Sequence, residues 1–328
     1  MDPPSEPGWR AGLAVALVAV VLSSPALLAE YTLDDFRAVL GHPAVTGEAP
    51  LWEVFAREYW GAPLGAPQWS SSYRPLTTLG FAIEHRIAAA PWLHHAVGIG
   101  CYALLCVQLL GFVRRWLTPR AALAAALVFA ALPVHVENVA SIVGRADVLA
   151  ACFALAALAW VVPVGDAPPS LRDALLGALA YLAALGCKEV VVLLPLTAAW
   201  LALLAARRAG TLRDVRALAR HAMGPVALGV VGILYMFWRQ RTLAIDLPEG
   251  FVTADNLLLL RDGWLRPWGN FAVVGSYIEL IVVPLRLCAD HTYGESLPPL
   301  GLFEAGALSS WVGLAVTAVL VRDGVQAL

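Results

Sequence analysis

The chain has 328 residues, of which 60% are hydrophobic and 14% are charged. Its mean hydropathy is +0.72, whereas soluble domains average about 45–50% apolar and about 25% charged residues. The formal net charge of −2 argues against a nucleic-acid partner, because no basic surface is dense enough to displace counterions from a phosphate backbone. The composition therefore predicts an integral membrane protein.

Apolar segments close to the roughly 20 residues that a membrane helix needs recur along the chain. They predict spans near 11–29, 93–113, 119–134, 146–163, 172–187, 189–206, 222–238 and 305–321. A further apolar stretch, 269–288, is ambiguous. The predicted fold class is all-α, a polytopic membrane helical bundle.

Arginine is distributed unevenly among the links between these spans. The arginine-rich links carry Arg114, Arg115, Arg120, Arg172, Arg207, Arg208, Arg213, Arg216 and Arg220. Such links stay on the cytoplasmic side of a membrane. The links 30–92, 135–145, 187–189 and 239–304 then face the extracytoplasmic side, and they are rich in acids, histidine and tryptophan.

The predicted outside loop 30–92 is long for a connection between helices, and loops of this size are usually functional or separately folded. Residues 51–60 and 75–87 have apolar residues at helical spacing. This pattern predicts amphipathic helices that lie along the membrane surface.

Two adjacent carboxylates, Asp34 and Asp35, follow the first predicted span. A carboxylate beside an apolar wall can have its pKa raised toward neutrality, which suits it to accept a proton from a hydroxyl. The alternative is that the pair caps a helix that begins at Phe36, because Asp is a preferred capping residue.

Ionisable residues also stand where the third span ends and the fourth begins: His135, Glu137, Arg145 and Asp147. Such residues are costly in apolar segments and indicate either a function or an internal pair. Arg145 could form a structural bridge with Asp147 or Glu137. His135 with Glu137 as metal ligands is a weaker interpretation, because His-x-Glu has many false positives.

Lys188, the single lysine of the chain, and Glu189 interrupt the apolar stretch 175–204. They indicate either a tight turn between two spans or a charged site that faces a cavity. Tryptophan and arginine occur together at 237–241 and 261–268, which fits a membrane-interface belt and also a groove for a lipid phosphate.

Taken in order, these motifs resemble the membrane part of the transmembrane O-mannosyltransferases that carry tetratricopeptide repeats, and of their prokaryotic relatives. The most specific pieces are Pro133-Val-His-Val-Glu-Asn-Val-Ala140 and Val143-Gly-Arg-Ala-Asp-Val-Leu-Ala150. The others are Asp34-Asp35, Tyr73-Arg-Pro-Leu76, Lys188-Glu189, Asp255-Asn256 and Pro284-Leu-Arg-Leu-Cys-Ala-Asp-His-Thr-Tyr293.

The resemblance implies a single GT-C transmembrane domain over 1–328, with an active site built from the outside loops 30–92 and 239–304. It implies inverting transfer of a hexose, in the first place mannose, from a polyprenyl phosphate to a hydroxyl of a protein, lipid or glycan, with Asp34 or Asp35 as general base. The candidates for binding the donor phosphate are Arg74, Arg145, Lys188, Arg239 and Arg241. The supporting polar residues are His135, Glu137, Asp147, Glu189, Asp255 and Asp290. Tryptophans of the 264–268 segment are candidates for lining the lipid groove.

The resemblance also implies a multi-pass protein of a prokaryotic inner membrane with an extracytoplasmic site. No nucleotide cofactor fingerprint is present. The sequence leaves open whether a divalent metal is required, because basic side chains could take its place at the phosphate. Two departures from the family pattern are expected: Leu132 stands where many relatives have a histidine, and the sequence predicts no C-terminal repeat domain. The alternative function is a non-enzymatic transporter or lipid-binding membrane protein, although no repeated halves typical of transporters are present.

Overall fold

The computed structural model describes residues 8–66, 72–162, 168–243, 263–282, 284, 287, 302 and 307–327. Within these residues the elements are helices, and β structure is limited to one isolated antiparallel bridge between Arg57 and Pro63. The predicted all-α class is therefore confirmed. The described residues group into two compact units, one holding those up to 243 except 132–134, and the other holding 132–134 and the later helices.

The longer helices follow the predicted spans and the predicted helix at 75–87. In chain order they are α1 (Gly8–Ser23), α2 (Pro75–Ile87), α3 (Pro91–Val113), α4 (Pro119–Ala131), α5 (Arg145–Val161), α6 (Leu171–Cys187), α7 (Leu194–Arg208), α8 (Val215–Thr242), α9 (Leu265–Val282) and α10 (Ala307–Ala327). The ambiguous stretch 269–288 thus overlaps α9.

Four helical segments within the described residues are long and apolar enough to cross a membrane: Gly8–Leu28, Pro91–Val113, Glu189–Arg208 and Val215–Thr242. A fifth follows if α4 and the short helices up to Ala140 count as one broken span. The polytopic prediction is confirmed, although the sequence predicts eight spans. The number is smaller partly because α5 and α6, at 17 residues each, are short for a crossing.

Small residues allow the helices of the first unit to approach closely. The buried face of α1 repeats every fourth residue at Ala11, Val15 and Ala19, and it packs in one core with Ala122 and Ala126 of α4. Helices in a membrane associate through such close packing, because lipid offers no hydrophobic driving force between them. A second core joins α5, α6, α7 and α8.

The contact between α8 and the end of α5 depends on Gly224. A Cβ atom at this position would lie 2.6 Å from the Val161 Cβ atom and 3.2 Å from its carbonyl oxygen, whereas a Cβ atom at Gly229 would meet nothing within 4 Å. We expect Gly224→Ala to lower the free energy of unfolding by about 1–3 kcal/mol through overpacking. Gly229→Ala on the same helix should be neutral or stabilising by about 0.5–1 kcal/mol. Unfolding of the two purified variants in detergent tests this, and equal stabilities would contradict it.

The loop 30–92 folds around α2, but the predicted helix over 51–60 is wrong. A 3₁₀ turn covers Leu51–Phe55, and the chain then reverses at Gly61, whose φ of +96° is left-handed. The Arg57 side chain fixes the reversal by donating to the Gly61 carbonyl at 2.8 Å. The apolar pattern of this segment instead buries Val54 and Tyr59 in a small core with Phe81 of α2.

Candidate active site

Most of the ionisable residues singled out in the sequence gather at one end of the first unit. The segment after α1, the start of α2, the start of α5 and the end of α6 meet there through side-chain contacts between distant parts of the chain. We call this region the polar end. Successive long helices alternately end and begin at the polar end. Residues that are far apart in the sequence therefore come together there.

Asp34 and Asp35 differ sharply in their surroundings. Asp35 is fully buried and accepts hydrogen bonds from the backbone N–H groups of Val143 at 3.0 Å and Thr32 at 3.1 Å. Asp34 is exposed, and its carboxylate has no hydrogen-bond or ion-pair partner among the described residues. The preceding Leu33 has a φ of +44°, a conformation that costs free energy for a residue with a side chain. One carboxylate is therefore held by the fold and its neighbour faces outward.

The capping alternative for this pair does not describe Asp35. The residue precedes the π-helical turn Phe36–Leu40, but its side chain makes no capping hydrogen bond there. Its carboxylate instead bonds across to Val143, which lies 108 residues away in the sequence. Asp35 thus ties the segment after α1 to the segment before α5.

A buried ionic network lies inside the polar end. Glu84 of α2 accepts from the Arg145 Nη1 atom at 2.8 Å and lies 2.7 Å from the Nδ1 atom of His94. All three side chains are almost completely buried, and the Arg145 guanidinium also lies over the Phe81 ring, 4.6 Å from its centroid. The sequence expectation that Arg145 bridges to Asp147 or Glu137 is therefore wrong, because Glu84 is its partner.

This network retains unused hydrogen-bonding capacity. Among the described residues, buried polar atoms at or beside it that lack a partner are Tyr31 Oη, His94 Nε2, both ring nitrogens of His95, and Arg145 Nε and Nη2. Buried polar groups ordinarily bond to protein or to ordered water. The interior of the polar end thus suits ordered water beside Arg145.

Two more ion pairs lie in a partly exposed layer. Arg74, at the start of α2, contacts Glu189 with an Nη2–Oε1 distance of 3.3 Å, and Lys188 Nζ contacts Asp147 at 2.6 Å. Lys188 and Glu189 thus each form an ion pair, and through these pairs the turn after α6 contacts α5 and the start of α2. Burial opposes the charge of Arg74, but Glu189 more than offsets this, so the pKa of Arg74 is raised above its ordinary value.

Arg74 also lies over the ring of Tyr59, at 4.7 Å from its centroid. Burial raises the pKa of the Tyr59 hydroxyl above its ordinary value, so this group stays neutral beside the cation. Arg239, near the end of α8, acts electrostatically on Glu189. Arg74, Lys188 and Arg239 therefore form a cationic group that is balanced by acids.

The remaining candidates lie apart from this group. Arg241 is exposed and lies over the Phe237 ring at 4.3 Å. His135 is 4.3 Å from the Phe129 ring by centroids, and Glu137 is exposed. In the part of the chain that the structure describes, no three His, Cys, Asp or Glu residues stand close enough to hold a metal ion. Asp255 and Asp290 lie outside the described residues.

Sequence reasoning missed Glu84, His94 and His95, which are buried at the centre of the polar end. Glu84 is the one acidic residue of α2, and the two histidines stand at the start of the apolar helix α3. An ionisable residue inside or at the end of an apolar segment was the signal that could have identified them.

The fold and the polar end together define the class of this protein. It is an all-α polytopic membrane protein whose carboxylates and cations gather at one end of the helices. The chain is similar to curated proteins that are named protein O-mannosyl-transferases, which confirms the coarser prediction of a resemblance to O-mannosyltransferases. No family model matches the chain, and no solved structure matches it.

Three of these relatives show the extent of the similarity. Protein O-mannosyl-transferase F38B6.6 of Caenorhabditis elegans is 28% identical over 89% of this chain and 41% of its own length. Protein O-mannosyl-transferase TMTC4 of Homo sapiens is 28% identical over 97% of this chain and 49% of its own. Protein O-mannosyl-transferase Tmtc2 of Drosophila melanogaster is 36% identical over 53% of this chain and 20% of its own. The chain thus spans less than half the length of these relatives.

Proposed function

We propose that the chain is a membrane glycosyltransferase that moves a hexose, in the first place mannose, from a polyprenyl phosphate to a hydroxyl group. The relatives support this through their names, which specify protein as the acceptor and mannose as the sugar. The proposed acceptor is accordingly a Ser or Thr hydroxyl of a protein.

The observation that carries the proposal is the unequal pair of carboxylates. Asp35 is buried and bonded to the Val143 backbone, so it holds the turn in place. Asp34 is exposed beside it and has no competing partner among the described residues, so it is open to an incoming hydroxyl. We therefore assign Asp34 as the general base and Asp35 as a positioning residue.

The proposed reaction is a single displacement. The acceptor hydroxyl gives its proton to the Asp34 carboxylate while its oxygen attacks the anomeric carbon of the sugar. The bond between that carbon and the phosphate oxygen breaks, and the polyprenyl phosphate leaves with the electron pair. Attack opposite to the leaving group inverts the anomeric configuration. General-base assistance of this kind contributes about 10²–10⁴-fold to a rate.

The leaving phosphate gains negative charge, and positioned cations stabilise such charge in a site with little water. Arg74 and Lys188 are suited to this because they are partly exposed and already face this end of the bundle. Arg145 is a poor phosphate ligand, since its side chain is buried and neutralised by Glu84. We assign it to support of the site instead.

We place the polar end on the extracytoplasmic side, in a GT-C type arrangement. Helices α3, α5 and α7 run away from the polar end, and the links that follow them, together with the helix ends beside those links, carry the arginine clusters at 114–120 and 207–220 and Arg172. Links rich in arginine stay in the cytoplasm. The same topology fits a prokaryotic inner membrane, whose outer face is open to protein acceptors.

Transfer by sealed membrane vesicles tests the function together with the side of the membrane. Bacterial membranes that contain the chain are prepared right-side-out and inverted, and both receive labelled polyprenyl-phosphate mannose and an impermeant acceptor protein. We expect the acceptor to be labelled by right-side-out vesicles, with membranes lacking the chain as the control. Labelling confined to inverted vesicles would overturn the topology, and binding without transfer in any preparation would favour a lipid-binding protein.

A further inference from the structure

The link between α7 and α8, with the helix ends beside it, carries the largest cluster of arginines in the chain. Because α7 runs away from the polar end and α8 returns toward it, this cluster lies at the other end of the first unit. We call it the basic tip, and its members, all of them exposed, are Arg207, Arg208, Arg213, Arg216 and Arg220. Neither the sequence motifs nor the names of the relatives assign a ligand to it.

The backbone of the basic tip is fixed by hydrogen bonds of its own. After α7 the chain turns at Gly210, whose φ of +68° is left-handed, and the Gly210 N–H group donates to the Arg207 carbonyl at 2.9 Å. This is the usual way in which a glycine closes a helix. The Asp214 carboxylate then caps α8 by accepting from the Arg216 N–H group at 2.9 Å. Both helix ends are thus closed without the guanidinium groups.

The positive charge of the basic tip is poorly balanced by the chain itself. Asp214 is the one acid between positions 190 and 244 of the sequence. Among the described residues, no hydrogen bond or ion pair engages the guanidinium groups of Arg208, Arg213, Arg216 and Arg220. Arg216 and Arg220 stand one turn apart on α8, and like charges at this spacing destabilise a helix. Arg216 also lies in the first turn, where the helix dipole disfavours a cation. An external anion would relieve both effects.

The position of the basic tip indicates which anion it would meet. The segments Glu189–Arg208 and Val215–Thr242 are both apolar enough to cross a membrane, and they adjoin at the tip. The arginines therefore stand at the depth where the hydrocarbon of a bilayer gives way to its head groups. Arginine clusters directly beside a membrane helix are attracted to anionic lipids, and a guanidinium group can bind two oxygens of one phosphate. A bilayer offers phosphate groups at this depth at a far higher local concentration than solution does.

We propose that the basic tip binds the phosphate head groups of anionic phospholipids in the leaflet that surrounds it. The guanidinium groups supply the charge and the hydrogen-bond donors, and the closed turn between α7 and α8 holds them in place. Under the proposed topology this leaflet is the cytoplasmic one, whose anionic lipids give it a negative surface potential. The site lies at the opposite end of the first unit from Asp34, and it goes beyond the proposed function without depending on sugar transfer.

The test measures which phospholipid the purified full-length chain selects. The chain in detergent is titrated with fluorescent phosphatidylglycerol and with fluorescent phosphatidylcholine that has the same acyl chains, so that the two probes differ in their head groups alone. We expect the native chain to prefer phosphatidylglycerol. The double variant Arg213→Gln with Arg216→Gln should bind phosphatidylglycerol about 5–30-fold more weakly, which is the effect of one to two surface cations. Its affinity for phosphatidylcholine should stay native.

The double variant Arg10→Gln with Arg120→Gln is the matched control. Both side chains are exposed and stand where α1 and α4 begin, at the same end of the first unit as the basic tip. Their helices pack in a different core from α7 and α8. The control should bind phosphatidylglycerol with native affinity. An equal loss in both double variants would overturn the proposal, because the preference would then follow net charge. Equal affinity of the native chain for the two lipids would also overturn it.

Thermal unfolding of each variant shows whether a loss of binding is a folding defect. If Arg213→Gln with Arg216→Gln does not fold, Arg208→Gln with Arg220→Gln replaces it, since these side chains are also exposed and belong to the basic tip. Phosphatidylglycerol with a photoactivatable head group should cross-link to the segment 207–220, and cross-links confined to other segments would contradict the site. Displacement of the lipid by an equal concentration of inorganic phosphate would identify a site for soluble anions and overturn the assignment to lipid.

The outcome is distinguishable from that of the transferase. A preference for phosphatidylglycerol in a native chain that transfers no sugar would contradict the proposed function and leave the lipid site standing. Sugar transfer by a native chain that shows no such preference would do the reverse.

Discussion

Asp34→Asn is expected to lower the turnover rate of sugar transfer by about 10²–10⁴-fold, the usual contribution of a general base. Asparagine keeps the size of the side chain but cannot accept the proton of the acceptor hydroxyl. Asp34 is exposed and its carboxylate has no partner among the described residues. The unfolding temperature of the variant should therefore equal that of the native chain. The measurement is the initial rate of transfer at saturating donor, together with thermal unfolding of the same preparation.

Asp35→Asn is the neighbouring comparison and should behave differently. This change weakens the hydrogen bonds that hold the turn to Val143 and Thr32, so both the rate and the unfolding temperature should fall. A lower rate with unchanged stability in Asp35→Asn, combined with native turnover in Asp34→Asn, would exchange the two assignments. Native turnover in both variants would remove the base from this pair.

Arg145→Met is expected to lower the free energy of unfolding by about 3–5 kcal/mol, because it leaves the buried Glu84 carboxylate without its cation. Methionine fills much of the same volume and retains packing against Phe81, so the loss reports on charge more than on shape. Unfolding of the purified variant in detergent measures it.

The double variant Glu84→Gln with Arg145→Met supplies the control for this effect. Removing both charges should recover a large part of the lost stability, since a buried pair replaced by uncharged groups of similar size is often nearly neutral. Stability of Arg145→Met equal to that of the native chain would contradict the network that joins α2, α3 and α5.

Hydropathy predicted the helices well because the apolar stretches of this chain are long and are bounded by proline or charge. Proline opens α2, α3 and α4, at Pro75, Pro91 and Pro119. The predicted helix at 51–60 failed for a local reason. Its apolar spacing is genuine, but Gly61 and the Arg57 side chain reverse the chain, and its apolar residues pack against α2 instead.

Part of the candidate site was predictable as a set of residues, although Glu84, His94 and His95 were missed, but its pairs were not predictable. Arg145 meets Glu84 across 61 positions of sequence, Lys188 meets Asp147 across 41 and Arg74 meets Glu189 across 115. Sequence spacing indicates neighbours within a helix, whereas these partners depend on which helices adjoin. The same limit explains why the two adjacent aspartates could not be told apart before their burial was known.

Sugar transfer from a polyprenyl phosphate with Asp34 as the base can be tested by one paired measurement. Membranes that contain the native chain or Asp34→Asn, at equal amounts of folded protein, receive labelled polyprenyl-phosphate mannose and an acceptor protein. We expect label that stays on the acceptor protein after lipid extraction, and release of polyprenyl phosphate, with the native chain alone. Equal label from both chains would contradict the assignment of the base, and no label from the native chain would contradict the transfer itself.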